Sequence, residues 1–328
     1  MARAVVCREL GSEDRLDFVA DWPDPEPQPG EVVVEVEAAS VNFPETLVIR
    51  GEYQLRPDLP FVPGSECAGT IAQVGDGVDT WQVGDRVLAM LGTGAFASRV
   101  AVKPSHQIHH IPDTMTFDQA AAFNLTYGTS MLALEQRGQV QPGETVLVLG
   151  ASGGCGTAAI QIAAAMGATP IACARGPEKV EVCRRAGADE VIDVSAVESL
   201  SATVRQLTDG RGVDVVYDTV GGADIREFLR CLTWNGRFLV VGFASGTIPE
   251  VRLNQAILKS ISIVGVAYGA SAMIDPSTNN DNFRRLFSWF EQGLLSPVIG
   301  HRFPLERGAE AIKVLRDGDV RGKVVIEV

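Results

Sequence analysis

The residues with the clearest chemical potential form a glycine-rich turn, Ala151-Ser152-Gly153-Gly154-Cys155-Gly156. An apolar run at 145–149 precedes the turn, as expected for a strand buried on both faces, and good helix formers follow it at 157–165. Small residues let the backbone approach a pyrophosphate, and the helix N-terminus offers unpaired N–H groups. Strand, turn and helix in this order predict a dinucleotide site, and the alternative is a plain glycine-rich connection.

The residues after the next predicted strand bear on which dinucleotide binds. An NAD-dependent enzyme typically has an acidic residue at the end of this strand, which accepts hydrogen bonds from the ribose hydroxyls. Here the strand at 170–174 ends in alanine, Arg175 follows, and Lys179 lies in the first turn of the next helix. Two cations there would bind a 2′-phosphate, so the pattern predicts NADPH as the cofactor. The alternative is that both are ordinary solvated charges.

Two kinds of elements must position these residues. The first ~120 residues contain short apolar runs between Gly and Asp turns, which predict a mostly antiparallel, barrel-like domain. From about Phe117 the pattern changes to strands alternating with helices, which predicts a parallel, doubly wound sheet and an α/β fold class. A helix at 307–316 and a strand at 323–328 follow, and we expect this last strand to return to the first domain's sheet.

Composition narrows the classes of function. The formal net charge of -13 disfavours nucleic-acid backbones and anionic membranes as partners. The six cysteines are scattered without C-x-x-C spacing, which argues against a disulfide framework and a thiolate zinc site. We find no signal-peptide pattern and no apolar run of membrane-spanning length. These features predict a cytoplasmic enzyme with reduced thiols, acting on a small molecule.

Several further motifs carry a family resemblance. They are Val41-Asn42-Phe43-Pro44-Glu45, Arg50-Gly51-Glu52-Tyr53, Pro63-Gly64-Ser65-Glu66-Cys67-Ala68-Gly69, Gly84-Asp85-Arg86-Val87, the 151–156 turn, Tyr217-Asp218-Thr219-Val220-Gly221-Gly222 and Gly322-Lys323-Val324-Val325. Over essentially its whole length the chain resembles the medium-chain dehydrogenase/reductase superfamily, and within it the zinc-free, zeta-crystallin-like NADPH:quinone oxidoreductases.

The resemblance implies a domain organisation. A GroES-like, β-rich catalytic domain would comprise residues 1–122 and 270–328, and a Rossmann NADP-binding domain would comprise residues 123–269. It also implies a homodimer in which the edge strand around 260–266 pairs across the interface. An unpaired apolar edge strand is an aggregation hazard, so such pairing is physically reasonable.

The zinc alcohol dehydrogenases of this superfamily hold a catalytic metal that we do not expect here. By resemblance, the cysteine ligand's place falls in Asn42-Phe43-Pro44 and Ser65 stands where a histidine ligand would be, and neither Asn nor Ser is a good zinc ligand. We expect His106, His109 and His110 to be solvated surface residues. Without a Lewis acid, acceptors that take hydride readily are favoured, such as quinones and α,β-unsaturated carbonyls.

The resemblance also assigns roles around the nicotinamide. Asn42 would lie near the nicotinamide ribose and the acceptor, and Tyr53 would give the acceptor pocket an aromatic face unless it is simply a packed loop residue. Thr129 would contact the cofactor. Tyr127 is a candidate proton donor for an enone, and the alternative is a core tyrosine.

The remaining cofactor contacts come mostly from strand ends. By resemblance, the backbone of Gly242, Phe243, Val264 and Val266 would meet the nicotinamide carboxamide, and Lys323 would close over the cofactor. The full set of predicted cofactor residues is Asn42, Thr129, Ala151, Ser152, Gly153, Gly154, Cys155, Gly156, Arg175, Lys179, Gly242, Phe243, Val264, Val266 and Lys323.

Three functions compete. The first is hydride transfer from NADPH to a quinone. The second is NADPH-dependent reduction of an activated C=C bond in an enone, acrylate or 2-enoyl thioester. The third is NADPH binding with little turnover. The sequence leaves open the physiological acceptor and the choice between hydride and one-electron transfer.

Replacing both Arg175 and Lys179 with neutral residues is expected to weaken NADPH binding far more than NADH binding. Each lost charge-assisted phosphate contact is worth about 1.5 to 3 kcal/mol. Titration of each cofactor against intrinsic tryptophan fluorescence measures the two affinities. Equal affinities of the unaltered protein for NADPH and NADH would contradict the assignment.

Overall fold

The computed structural model describes residues 1–103 and 107–328, so His106 lies outside the described residues. The strands within these ranges are β1 (Ala2–Cys7), β2 (Leu16–Trp22), β3 (Val32–Val41), β4 (Glu66–Val74), β5 (Arg86–Met90), β6 (Arg99–Val102), β7 (Gln107–His110), β8 (Thr145–Leu149), β9 (Thr169–Ala174), β10 (Glu190–Asp193), β11 (Val213–Asp218), β12 (Leu232–Val240), β13 (Ser262–Gly265), β14 (Ile299–Pro304) and β15 (Lys323–Glu327).

The helices are α1 (Phe43–Val48), α2 (Phe117–Ala121), α3 (Asn124–Met131), α4 (Gly154–Ala165), α5 (Pro177–Arg185), α6 (Leu200–Leu207), α7 (Ile225–Cys231), α8 (Asn254–Lys259), α9 (Tyr268–Ile274), α10 (Pro276–Glu291) and α11 (Gly308–Arg316). A π-helical segment at Leu132–Arg137 continues α3. Across the part of the chain that the structure describes, no helix combines the length and apolar character needed to cross a bilayer.

The chain forms two compact units. The first comprises Met1–Leu125 and Ile299–Val328, and the second comprises Thr126–Val298. The second boundary differs from the sequence-based division, which put residues 270–298 in the catalytic domain. These residues belong to the second unit because their polar groups pair within it. The Gln136 and Asn282 amides exchange two hydrogen bonds, and the Gln161 amide binds the backbone of Ser296.

The first unit contains a seven-stranded sheet in the order β14-β15-β3-β4-β5-β7, with β6 paired to β3, and a separate hairpin of β1 and β2. All pairs except β14–β15 are antiparallel, which agrees with the predicted β-rich domain. β15 pairs antiparallel with β3, with Val324 opposite Val41, so the last strand returns to this sheet as expected.

The second unit contains a six-stranded sheet in the order β10-β9-β8-β11-β12-β13, in which all pairs are parallel. The order reverses between β8 and β11, so the carboxyl ends of these two strands flank the topological switch point where such sheets bind ligands. Every residue of β8 is buried, as the apolar run predicted. The predicted α/β fold class, with a GroES-like domain and a Rossmann-like parallel sheet, is confirmed.

The prediction that His109 is a solvated surface residue needs correction. His109 and His110 lie in β7, where their backbones pair with Leu88 and Val87. His110 stacks against Trp81, whereas burial of the His109 ring lowers its pKa to about 4. His109 is therefore neutral near pH 7 and is no solvated surface residue.

Candidate functional site

The glycine-rich turn joins β8 to α4 at the carboxyl edge of the parallel sheet. Gly150 makes the sharp turn with a φ of 69°, which favours glycine. At Gly156 an added Cβ would lie 2.4 Å from the Gly150 oxygen and 2.6 Å from the Ala151 Cα. Because no side chain fits there, α4 can start directly against the end of β8, which is the close helix–strand approach that a dinucleotide fold needs.

The N-terminus of α4 provides the polar groups of the turn. Gly153 is the N-cap without a capping side chain, and Gly154 and Cys155 begin the helix. The first N–H groups of a helix lack intrahelical partners, so they form an anion site with the positive end of the dipole. Ala151 is buried and donates its N–H to the Cys173 oxygen at 3.1 Å, so its role is to join the turn to β9. The residues present therefore fit the pyrophosphate of a dinucleotide.

Arg175 and Lys179 flank the start of α5. Arg175 is exposed directly after β9, and Lys179 lies in the first turn of α5. Between them Gly176 has a φ of 84° and donates its N–H to Asp193 Oδ1 at 3.0 Å. Hydrogen bonds from Ser195 and Gly176, together with the Arg175 charge, hold the pKa of Asp193 below its usual value. Asp193 thus fixes the loop that carries Arg175, a contact that the sequence analysis missed.

The predicted carboxamide contacts lie at the ends of β12 and β13. The Gly242 N–H donates to the Asp218 oxygen at 3.2 Å, and the Val266 N–H donates to the Val240 oxygen at 3.0 Å. Phe243 packs over Gly221, where an added Cβ would lie 2.8 Å from the ring. Both segments therefore lie at the same edge of the sheet as the glycine-rich turn, and Val264 is the third residue of β13.

Tyr127 lies in the interior of the second unit. Its hydroxyl donates to Gln161 Oε1 at 2.7 Å, and burial raises the pKa of the phenol well above its ordinary value. These contacts favour the alternative of a core tyrosine over a proton donor. Thr129 is buried on the same helix, α3. Tyr268 packs against that helix, since a Cβ at Gly128 would lie 2.3 Å from its hydroxyl oxygen.

A buried polar cluster in the first unit contains Asn42, Glu66 and Lys323. Lys323 Nζ donates to Asn42 Oδ1 at 2.6 Å and to Glu66 Oε1 at 3.0 Å, and also to the Val41 oxygen at 3.2 Å. Asn42 Nδ2 donates to Glu66 Oε1 at 2.9 Å. The amide of Asn42 is therefore held by an ammonium on its oxygen and a carboxylate on its nitrogen, which fixes its orientation.

The cluster changes the interpretation of Lys323. Lys323 is only 5% exposed, and its ammonium is bound by three oxygens, from Val41 of β3, the α1 N-cap residue Asn42 and Glu66 of β4. These contacts hold the ammonium within the first unit, and the role over the cofactor that the resemblance implied for Lys323 stays a prediction. Its role is to neutralise Glu66 and to orient Asn42. Sequence reasoning missed Glu66, although a glutamate directly after Ser65 was visible in the motif.

A second buried carboxyl lies beside Asn42. Glu45, in the first turn of α1, accepts the Asn42 N–H at 2.8 Å on Oε2 and the Ser65 N–H at 2.8 Å on Oε1. The Ser65 hydroxyl also donates to Oε1, at 2.5 Å. Burial raises the pKa of Glu45 to about 7, against the opposing effects of Ser65 and Lys323. Burial and the Glu45 charge raise the pKa of the half-buried Tyr53, which places that ring near the carboxyl.

The donor set does not fit a catalytic zinc ion. Zinc sites use thiolate, imidazole or carboxylate ligands. Here Asn42 and Ser65 are amide and hydroxyl, and the Glu66 carboxylate already binds an ammonium. Within residues 1–103 and 107–328 there is also no group of three or more His, Cys, Asp or Glu residues arranged to hold a metal. The residues at this position therefore do not form a catalytic zinc site.

Comparisons with known proteins agree with this architecture. The "Alcohol dehydrogenase GroES-like domain" model matches residues 28–113, and the "Zinc-binding dehydrogenase" model matches residues 154–289. The "Quinone oxidoreductase-like protein 2 homolog" of Nematostella vectensis is 36% identical over 325 residues, covering 99% of this chain and 88% of the relative.

Solved structures give the same result. A quinone oxidoreductase from Pseudomonas syringae has a TM-score of 0.91 and 31% identity, with 100% of both chains covered. The Escherichia coli quinone oxidoreductase complexed with NADPH has a TM-score of 0.90 and 27% identity, also with 100% of both chains covered. The chain belongs to the medium-chain dehydrogenase/reductase superfamily, as a zinc-free oxidoreductase of the quinone oxidoreductase-like group.

Removing the Lys323 ammonium is expected to destabilise the protein strongly. Lys323→Met leaves the Glu66 carboxylate buried without a counter-ion, which typically costs about 3–5 kcal/mol. Urea unfolding at neutral pH measures the loss, with Lys313→Met as the control because Lys313 is exposed in the same unit. Adding Glu66→Gln to Lys323→Met should recover part of the loss. A double variant that loses the sum of both single effects would show that the two charges are not coupled.

Proposed function

We propose that the protein transfers hydride from NADPH to a quinone. The observation that carries the proposal is the cradle at Gly156, where α4 starts so close to β8 that no Cβ fits. This geometry favours a pyrophosphate at the helix N-terminus. The quinone oxidoreductase names of the relatives, and the NADPH complex of the Escherichia coli protein, support the finer assignment.

Each part of the second unit would bind one part of the cofactor. The turn and the start of α4 would hold the pyrophosphate. Arg175 and Lys179 would hold the 2′-phosphate, with Asp193 fixing the loop between them. The backbone at 242–243 and 264–266 would meet the carboxamide, and Thr129 would contact the nicotinamide side. NADPH, when bound, supplies the hydride, and the protein supplies position and electrostatics.

The first unit would provide the groups near the acceptor. Asn42 has a fixed amide, and the half-buried ring of Tyr53 could stack on a planar quinone. The lack of zinc-type donors at Asn42 and Ser65 favours acceptors that need no Lewis acid. The Tyr53 ring and the lack of zinc-type donors both support a quinone as the acceptor. Lys323 would contribute by fixing the orientation of the Asn42 amide.

Steady-state turnover of NADPH with a panel of quinones and enones tests the proposal. We expect quinones to be reduced with NADPH preferred over NADH, because the 2′-phosphate would meet two cations. Turnover of enones, acrylates or 2-enoyl thioesters without any quinone would establish the activated C=C function instead. NADPH binding without turnover of any acceptor would establish a binding protein.

We also propose that the protein is a homodimer and acts in the cytoplasm, which the scattered cysteines of the sequence support. In the second unit β13 pairs with β12 and lies at the end of the sheet order, and Ile263 on β13 is 40% exposed. Exposed Ile257 and Leu258 precede this strand. An apolar edge of this kind suits pairing with a second copy.

Ile263→Asp is expected to convert the dimer into a monomer, because it places a charge on the proposed interface. Size-exclusion chromatography with light scattering measures the change in molar mass. Val83→Asp is the control, since Val83 is an exposed apolar residue of the other unit. A monomeric unaltered protein would rule out the dimer, and an unchanged mass for Ile263→Asp would rule out this interface.

A further inference from the structure

The buried Glu45 carboxyl is hydrogen-bonded to one side-chain hydroxyl, that of Ser65. Glu45 is 3% exposed and accepts backbone N–H groups from Asn42 and Ser65. Among the described residues, Ser65 contributes the one side-chain hydroxyl bonded to this carboxyl, at 2.5 Å from Oε1. Ser65 itself is partly exposed. The hydroxyl therefore bridges a buried carboxyl and the accessible side of the first unit.

The charges around Glu45 leave it able to hold a proton near neutral pH. Lys323 on β15 favours the carboxylate, but its ammonium is already bound by Glu66 of β4. Tyr53 on the following loop is neutral, and its pKa is raised further. Helix α11 also packs on α1. Of its charged residues, Arg316 pairs with Glu13 and Asp317, and Glu310 pairs with Arg307. Lys313 is exposed. Burial prevails, and the pKa of Glu45 rises to about 7.

Reduction of a quinone requires a proton as well as a hydride. Hydride transfer delivers two electrons and leaves a hydroquinone monoanion, which becomes neutral only when one oxygen is protonated. Tyr127 is a poor source, because its hydroxyl is bound to Gln161 inside the second unit. Glu45 and Ser65 instead lie beside Asn42 and Tyr53, the candidate acceptor residues.

We propose that Glu45 stores the proton that Ser65 delivers to the reduced acceptor, an inference that rests on the proposed quinone reduction. The Ser65 hydroxyl donates to Oε1 when Glu45 is a carboxylate; when Glu45 is protonated at Oε1, it donates to Ser65 Oγ instead. The proton on Glu45 Oε1 then moves to Ser65 Oγ while the Ser65 hydroxyl proton moves to the acceptor oxygen. Two O–H bonds break and two form, and no electrons leave either residue. Glu45 remains as a carboxylate and regains its proton from water. Ser65 is the group that touches the acceptor, and Glu45 acts through it.

The direction of the pH dependence follows from this step. The active form is the protonated carboxyl, which is lost as the pH rises through about 7. We therefore expect kcat/KM for quinone to decrease with increasing pH above that value, approaching tenfold per pH unit. A general acid of this kind contributes on the order of 10²-fold to rate.

The experiment compares Glu45→Gln with Glu52→Gln, which removes an exposed carboxyl nearby in the chain. For Glu45→Gln we expect kcat/KM about 10²-fold lower at pH ~6 and no titration up to pH ~9. The loss should be largest for quinones whose hydroquinones are the weakest acids, because these need protonation most. Glu52→Gln should keep the full pH profile. A Glu45→Gln profile that keeps the unaltered enzyme's titration, or an equal loss for all quinones, would overturn the proposal.

Ser65 variants separate proton delivery from folding. Ser65→Ala should lower kcat/KM for quinone although the Glu45 carboxyl is still present. Ser65→Thr should keep kcat/KM near that of the unaltered protein, because it retains a hydroxyl. A Ser65→Ala enzyme with normal kcat/KM for all quinones would overturn the role of Ser65.

A readout without turnover distinguishes this inference from the proposed function. Difference infrared spectra should show a carboxylic acid that titrates near pH 7 in the unaltered protein and disappears in Glu45→Gln. If quinones are turned over but this signal is absent, the proton store is wrong and the proposed function stands. If no quinone is turned over and the signal is present, the proposed function fails and proton delivery to a quinone fails with it.

Discussion

A buried ion pair between Lys323 and Glu66 is the interaction on which the first unit most depends. Removing an ammonium and a carboxylate from water is costly, so such a pair persists only where further hydrogen bonds satisfy both ions. Here Ser40, Asn42 and the Leu125 N–H complete the shell of Glu66, and the Val41 and Asn42 oxygens complete that of Lys323. The pair thereby joins β15, β3 and β4 through one set of charges.

The same pair explains how a fold related to zinc enzymes works with other donors. A cation is still present beside Asn42 and Glu66, but it belongs to a side chain and cannot exchange a ligand for substrate. It offers hydrogen bonds and charge compensation without Lewis acidity. The Lys323 ammonium is bound to Glu66 and therefore compensates the charge of the neighbouring Glu45 only in part. Burial raises the pKa of Glu45 to about 7. A local proton supply thus accompanies the absence of metal-type ligands.

Local signals in the sequence were enough for much of the fold. The strand β8 follows from the continuous apolar run at 145–149, and its predicted bounds match the structure. The need for glycine at position 156 follows from the turn motif. The hairpin of β1 and β2 was missed because it has no strong alternation. The segment 270–298 was assigned by analogy, whereas the Asn282 side chain pairs with Gln136 and the Ser296 backbone pairs with Gln161.

The candidate site was less accessible, because its contacts join residues far apart in sequence. Glu66 and Lys323 are separated by 257 positions, and no local pattern reveals that one neutralises the other. Asp193 acts on the backbone of Gly176 across neighbouring strands. Glu45 looks like an ordinary residue in the first turn of a helix until Ser65 is placed against it. Residue types suggested the chemistry, but tertiary contacts decided which side chains remain available for it.

The pairing of β15 with β3 also affects how the chain is made on the ribosome. Residues 126–298 form a contiguous unit, so all of that unit is synthesised before β14 and β15. Until Lys323 has been added, Glu66 has no ammonium partner and β3 lacks one of its neighbours. The second unit therefore needs no later residue to complete its sheet, whereas the nascent first unit must wait for β15, with an open strand edge that a chaperone would have reason to cover.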